Sequence, residues 1–400
     1  MAKIELKVSR SCTKSSSEGV HFLSGGSVRY QGVEPMNSLF YGAGVLGSLY
    51  AARLHEAGHA VSILARGQRL ADIQEYGIVL EDGETGNLTT TRLRIVERLD
   101  PEDVYDLVVV LMRKNQVSSI LPALAANQNT PSILFMGNNC AGPDSMVEVL
   151  GRERVVLGFP GAGGYRKGHV LVYKVVPGGQ QPTTFGELDG QSTPRLQQIV
   201  AAFASAGFPV SVSPNMDAWL KTHVAEVCPV ANALYMAAGD NYRLARDRRA
   251  LVLLVRAIRE GYRVLHALGV PITPANHRVF GWIPEPILVA LLRRVLNTRT
   301  AEIEIAGHAN AARDEFTELG NDFGEAARST SVPTPAMDRL FAYTDPAVQP
   351  DLSEPNEEKG IKRPVMVWSL IILLLLLALG GLLRRHRPAC EPKGQPARGR

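Results

Sequence analysis

Three glycines at fixed spacing carry the first chemistry in this chain. Gly42, Gly44 and Gly47 stand in Ser38–Gly47, S-L-F-Y-G-A-G-V-L-G, with Ala43, Val45 and Leu46 between them. Such a turn cradles a pyrophosphate. Gly42 permits the tight bend, Gly44 removes a Cβ so that phosphate can approach the backbone, and Gly47 lets a helix lie close to a strand. The flanking pattern is the one this chemistry requires. Leu39, Phe40 and Tyr41 form a short apolar strand before the turn, Ser48–Gly58 reads as a helix with a glycine stop, and Ala60–Leu64 reads as a second strand. Together they predict the opening of a dinucleotide-binding fold.

Cofactor choice follows from the end of the second strand. A site specific for NAD usually places Asp or Glu there. This chain continues Ala65-Arg66-Gly67-Gln68-Arg69, with no acid, and Arg66 stands where a 2′-phosphate would lie. A guanidinium matches phosphate bidentately, so the expected cofactor is NADPH. Two further polar groups fall at strand ends, where ligands of open α/β sheets bind. Lys114, in Leu111–Val117, could meet cofactor phosphate or ribose, or a substrate carboxylate. Asn138 and Asn139, in Phe135–Gly142, could bond the nicotinamide ribose or a substrate carbonyl.

The elements that must position these residues divide the chain in two. Up to about Gly207, strand and helix patterns alternate, which predicts a parallel sheet covered on both faces. Strands are expected at Gly77–Leu80, Leu93–Val96, Leu107–Leu111, Ser132–Met136, Val155–Phe159, Val170–Val175, Thr183–Phe185 and Pro209–Val212. Helices are expected at Gln116–Ala126, Asp144–Leu150 and Pro194–Ala206. From Met216 to Tyr343 apolar residues recur at helical spacing, predicting helices over Asp217–Ala238, Leu244–Leu268, Pro286–Leu296, Thr300–Glu318 and Pro335–Phe341. The fold class is thus an α/β Rossmann-type domain followed by an all-α domain, with substrate between them.

Both ends differ from this body. Residues 1–36 are rich in Ser, Gly and Lys without periodicity and read as a disordered extension, with Met36 an alternative start. After residues 37–213 (Rossmann) and 214–345 (helical, substrate-binding and dimerising), a proline-containing acidic linker spans 346–364. Val365–Leu383 then runs for nineteen residues without a charge. At about 1.5 Å per residue it reaches roughly 28 Å, enough to span a bilayer as a helix. A basic tail, 384–400, follows. With no secretory signal, the dinucleotide-binding body is expected in the cytoplasm, with the tail outside or the segment dipping in without crossing. The net charge of +4 sits largely in the tail and is too diffuse for nucleic acid. Cys12, Cys140, Cys228 and Cys390 show no metal-binding or disulfide spacing, so no metal is expected.

In their order, these motifs resemble the ketopantoate reductase (2-dehydropantoate 2-reductase) family of pantothenate biosynthesis, over about residues 37–343. The resemblance rests on the glycine turn, Arg66, Lys114 with Gln116-Val117, Asn139-Cys140-Ala141-Gly142 and Phe185-Gly186-Glu187-Leu188-Asp189-Gly190. It continues through Trp219-Leu220-Lys221, Glu302-Ile303-Glu304-Ile305-Ala306-Gly307 and Thr334-Pro335. It implies hydride transfer from NADPH to a 2-keto acid, with Lys221 as general acid and Glu302, or Glu304 two residues on, as a substrate-binding carboxylate. Partial desolvation on an apolar helix would make Lys221 a better proton donor. The substrate half departs from the family. Ala225 and Pro229 stand where it has asparagines, Asn232 is the nearest substitute, and Cys140 replaces a glycine. Those departures lead to two expectations: a reductase with ketopantoate or another carbonyl substrate, or a membrane-anchored NADPH-binding protein without activity. A homodimer is left open.

Overall fold

Leu39, Phe40 and Tyr41 are buried, and the strand they form is the axis of the fold. The computed structural model describes residues 34–176 and 181–351. Its strands are β1 (Asn37–Tyr41), β2 (Ala60–Leu64), β3 (Ile78–Asp82), β4 (Leu88–Thr91), β5 (Arg94–Val96), β6 (Leu107–Val110), β7 (Ile133–Met136), β8 (Val155–Phe159), β9 (Ala162–Lys167), β10 (Val170–Val175), β11 (Thr183–Gly186) and β12 (Val210–Val212). Its helices are α1 (Val45–Glu56), α2 (Gly67–Tyr76), α3 (Lys114–Ala126), α4 (Asp144–Leu150), α5 (Pro194–Ser205), α6 (Met216–Met236), α7 (Asn241–Arg246), α8 (Arg248–Ala267), α9 (Glu285–Leu296), α10 (Arg299–Ala301), α11 (Gly307–Ala311), α12 (Arg313–Arg328) and α13 (Pro335–Phe341).

The main sheet has the order β12-β11-β8-β7-β6-β1-β2-β5 and is parallel except where β11 runs against β8. The expectation of one parallel sheet holds for this layer and fails for β3 and β10. These two pair with each other in a second sheet, β4-β3-β10-β9. The strands that complete it, β4 and β9, carry no alternating apolar signal: Leu88-Thr-Thr-Thr is largely exposed, and Ala162-Gly-Gly-Tyr-Arg-Lys reads as a loop. The glycines of β9 are what bring it into the fold. A Cβ on Gly164 would stand 2.2 Å from the Val172 carbonyl and 2.9 Å from Val45, so only glycine lets β9 lie between β10 and α1.

Two long helices expected downstream are interrupted. Asp247 ends α7, and its carboxylate accepts the Arg249 and Ala250 N–H groups to start α8. The stretch expected as one helix over Thr300–Glu318 becomes α10, a π-helical turn at Glu302–Ala306, α11 and, after Ala312, α12.

α6 joins the two halves. Met216, Trp219 and Leu220 enter the core between the sheet, α3 and α4. Val224 through Ala237 then form the centre of the helical core with α8, α12 and α13. Burial of side chains of this size stabilises by about 1.5–3 kcal/mol each, so the helix is anchored at both ends. Lys221 lies where α6 passes from one core to the other. The described residues belong to a single compact unit. The expected span at 365–383 lies outside the described residues, as do residues 1–33, 352–364 and 384–400. Among the described residues no helix is long and apolar enough to cross a membrane, so membrane anchoring gains no support there.

Candidate functional site

Each glycine of the opening turn has a different reason to be glycine. Gly42 has φ +123°, and a Cβ there would stand 2.6 Å from the Leu111 carbonyl. A Cβ on Gly47 would stand 1.9 Å from the Gly42 carbonyl. Gly44 has an ordinary φ of −69°, and its Cβ would meet no protein atom within 4 Å. The first two glycines therefore serve the packing of the turn, whereas Gly44 leaves open space. That space faces the start of α1, which has neither a capping side chain nor an acid in its first turn. The N–H groups of Val45, Leu46 and Gly47 are consequently free for an anion.

The arginines after β2 divide the work. Arg66 is exposed; it donates to the Tyr41 hydroxyl at 2.9 Å and the Glu97 carbonyl at 3.2 Å, and lies over the Tyr41 ring. None of these partners is a carboxylate, so its charge remains available. Arg69, which the sequence did not single out, is buried. It donates to the Ala43 carbonyl at 3.0 Å, the Ser48 hydroxyl at 3.1 Å and the His169 carbonyl at 3.3 Å. Burial, with Arg166 nearby, pulls its guanidinium down to about 10 against the opposing effect of Asp72. Arg69 braces the turn from behind. Only its position three residues after Arg66 hinted at this.

At the carboxyl ends of β6 and β7, the polar residues meet an acidic helix face. Lys114 lies 3.0 Å from Glu318 and 3.4 Å from Asp322. Burial lowers its pKa, but these two carboxylates outweigh it, and the net shift is upward. Arg113 and Asn115 bind Asp314 at 2.8 and 2.9 Å, and Asn138 reaches buried Glu315 at 3.3 Å. Asn139 Nδ2 donates across its turn to the Gly142 carbonyl at 2.7 Å, while the Oδ1 atoms of Asn138 and Asn139 are buried without partners. The cavity lined by Lys114, Asn139 and Leu220 measures about 20 Å³, room for roughly one water. The carboxylates on α12 were missed from sequence because they lie some two hundred residues beyond Lys114.

Lys221 lies beside the same turn. A Cβ on Gly142 would be 3.9 Å from Lys221 Nζ and 3.6 Å from Asp217 Oδ1. Asp217, one helical turn before Lys221, binds its ammonium at 2.6 Å. The glycine turn, Lys114, Asn139 and Lys221 thus form one continuous neighbourhood: Gly42 packs on Leu111 and Met112, Met112 on Gly137, and Gly142 on Lys221. Asn232 is fully buried on α6, its amide donating to the Cys228 carbonyl at 2.9 Å and its Oδ1 unpartnered. Glu302 is held by Arg299 and, at 2.9 Å, by the Tyr242 hydroxyl. No described contact joins Asn232 or Glu302 to Lys221. The departures from the family pattern have structural reasons. Ala225 packs against Gly261 of α8, where a Cβ would come within 3.1 Å, so an asparagine there would separate the helices. Buried Pro229 lacks the N–H that would bond the Ala225 carbonyl, and that carbonyl faces the same glycine. Burial pushes the Cys140 thiol up to about 12, so it is unreactive.

Glu304 sits on the π-helical turn with its Cα 2.8 Å from where a Gly163 Cβ would be. Its Oε1 is buried and unpartnered, and burial raises its pKa to about 7 against the pull of Lys174. In the unfolded chain the carboxyl ionises near 4.5. Stability is therefore full below that pH, falls as pH rises through the window to about 7, and is level above it. Glu304→Gln is expected to abolish this fall and to stabilise at pH 8 by on the order of 1–2 kcal/mol, allowing for partial solvation. Thermal melts at pH 4.5 and 8 check it; the same difference in Tm at both pH values would refute it.

Residues 39–190 match the family described as Ketopantoate reductase PanE/ApbA. That match spans 152 of the chain's 400 residues. The chain is 28% identical over 312 residues to a 2-dehydropantoate 2-reductase of Halobacterium salinarum, a match that covers 76% of this chain and 96% of the relative. The fold is shared with the 2-dehydropantoate 2-reductase of Geobacter metallireducens GS-15, at 14% identity and TM-score 0.65, covering 78% of this chain and 100% of that one. It is also shared with D-mandelate dehydrogenase in a ternary structure with NADH and anilino(oxo)acetate, at 16% identity and TM-score 0.63, covering 77% and 97%.

Proposed function

We propose that this chain is an NADPH-dependent reductase of a 2-keto acid of the ketopantoate type, with Lys221 as general acid. The observation that carries this reading is the ammonium of Lys221 beside the Asn139–Gly142 turn, which follows β7 at the same carboxyl-end edge of the parallel sheet as the open glycine cradle that follows β1. The first-turn N–H groups of Val45, Leu46 and Gly47 would hold the pyrophosphate, and Arg66 the 2′-phosphate. Lys114 and Asn139 would bind the ribose or the substrate once α12 withdraws its carboxylates. NADPH, when bound, supplies the hydride for the carbonyl carbon. Lys221 donates a proton to the ketone oxygen, its charge stabilises the developing oxyanion, and Asp217 keeps the ammonium oriented. Asn232 and Glu302 are proposed on the substrate side, reached through movement of the helical part. The apolar stretch 365–383 would anchor the cytoplasmic body to a membrane.

The full-length chain tests this through NADPH and NADH oxidation with ketopantoate and other 2-keto acids. Turnover with a tenfold or greater preference for NADPH is expected, and Arg66→Ala should reduce that preference by roughly a factor of ten. A tenfold preference for NADH sinks the cofactor assignment. After an alkaline carbonate wash, activity should stay with the membranes; release into the supernatant removes the anchor. Ala225, Pro229 and the 20 Å³ cavity favour the second reading, an NADPH-binding protein without turnover. NADPH binding with no oxidation of any 2-keto acid would establish it.

A further inference from the structure

One stripe of α8 is basic along half the helix. Arg256, Arg259, Arg263 and His266 recur at intervals of three and four residues and so lie on one side. Cations at that spacing repel one another, and the surroundings do little to offset it. Arg259 is fixed by the carbonyls of Phe280 and Ile283, neutral acceptors that lock its geometry, and Glu285, the carboxylate its charge acts on, is already hydrogen-bonded to Arg256. Among the described residues Arg263 has only Glu260, at 3.9 Å, and Glu260 already accepts the N–H groups of Ala336 and Met337 at 2.9 Å. Arg256 has a close carboxylate, Glu285 at 2.8 Å. Across from the stripe, the 3-10 segment Ala275–Gly281 supplies Arg278, which has no hydrogen-bond or ion-pair partner among the described residues. Next to it Trp282 is 86% exposed. Between these walls is a groove of about 970 Å³. None of its lining comes from either sheet or from the glycine turn.

We propose that this groove is a second ligand site, for a nucleoside polyphosphate. Four guanidinium groups, of which Arg259 and Arg256 are held in place, outnumber the two carboxylates beside them, Glu260 and Glu285, and fit several phosphate oxygens better than one carboxylate, since each planar fork can bind two oxygens. The exposed indole offers a stacking surface for a base. The volume suits a ligand of that size. The site is independent of Lys221 and of the proposed reductase activity.

The test uses the full-length chain in detergent with saturating NADPH, titrated with ATP, sodium triphosphate and adenosine by calorimetry and tryptophan fluorescence. ATP and triphosphate are expected to bind, adenosine far more weakly, and affinity should fall with added salt. Arg263→Glu with Arg278→Glu, both exposed positions, should weaken ATP by at least roughly tenfold with an unchanged melting temperature. Trp282→Phe should remove the fluorescence change and retain triphosphate binding. The proposal is overturned if neither ATP nor triphosphate binds, if the double variant binds equally well, or if NADPH displaces ATP. It is also overturned if the double variant converts a dimer to a monomer and no phosphate compound binds, which would make the face an interface between copies. Because the titration reads binding directly, a protein without reductase turnover tests the site equally well.

Discussion

Lys221→Ala is expected to lower NADPH-coupled turnover by a factor of about 10²–10⁴, the usual contribution of a positioned general acid. Stability should barely change. Lys221 retains some exposure, and its i,i+4 pair with Asp217 is worth only about 0.3–0.5 kcal/mol. NADPH affinity should stay within about threefold, because the glycine turn and Arg66 are untouched. Lys221→Arg separates the two roles of the ammonium. A guanidinium keeps the positive charge near the oxyanion but does not release a proton at neutral pH, so turnover between that of the parent and the alanine variant is expected. Single-turnover oxidation of NADPH measures the chemical step directly. Retention of more than about a fifth of the parent rate in Lys221→Ala would remove Lys221 from the mechanism.

The second large effect contrasts two glycines three residues apart. Gly44→Val should leave the folding stability within about 0.5 kcal/mol of the parent, since nothing in the protein lies within 4 Å of the new Cβ and the backbone φ is ordinary. Its NADPH affinity should nonetheless fall by about two orders of magnitude, roughly 2.7 kcal/mol, because the side chain occupies the space left for phosphate. Gly47→Ala should lower both. Its Cβ would stand 1.9 Å from the Gly42 carbonyl, so α1 must shift, at roughly 1–3 kcal/mol or more. Fluorescence titration with NADPH alongside thermal melts reads both quantities. Equal NADPH binding by Gly44→Val and the parent would show that no phosphate packs against Gly44.

Several elements were legible in the sequence because their signals are local. The glycine turn declares itself through backbone requirements within six residues, and β1, β6, β7 and β8 through short apolar runs that burial on both faces demands. β4 and β9 escaped because their place depends on a partner strand and not on their own pattern. The break at Asp247 escaped because apolar periodicity passes through it while its side chain takes the next helix's N–H groups.

For the candidate site the boundary falls in the same place. The sequence by itself pointed to the cradle and the cation after β2, each a residue type at a fixed distance from an element end, and to Lys221 of α6 through the family resemblance. Only the tertiary structure decided what faces them. It put Arg69 behind the turn, Asp217 on Lys221, and Glu318 and Asp322 of α12 against Lys114. It left Asn232 buried and Glu302 with Arg299 and Tyr242. The physical reason is that a charge is governed by whatever lies within a few ångströms of it. For Lys114 those neighbours are supplied by a helix two hundred residues away, and no spacing along the chain records that encounter.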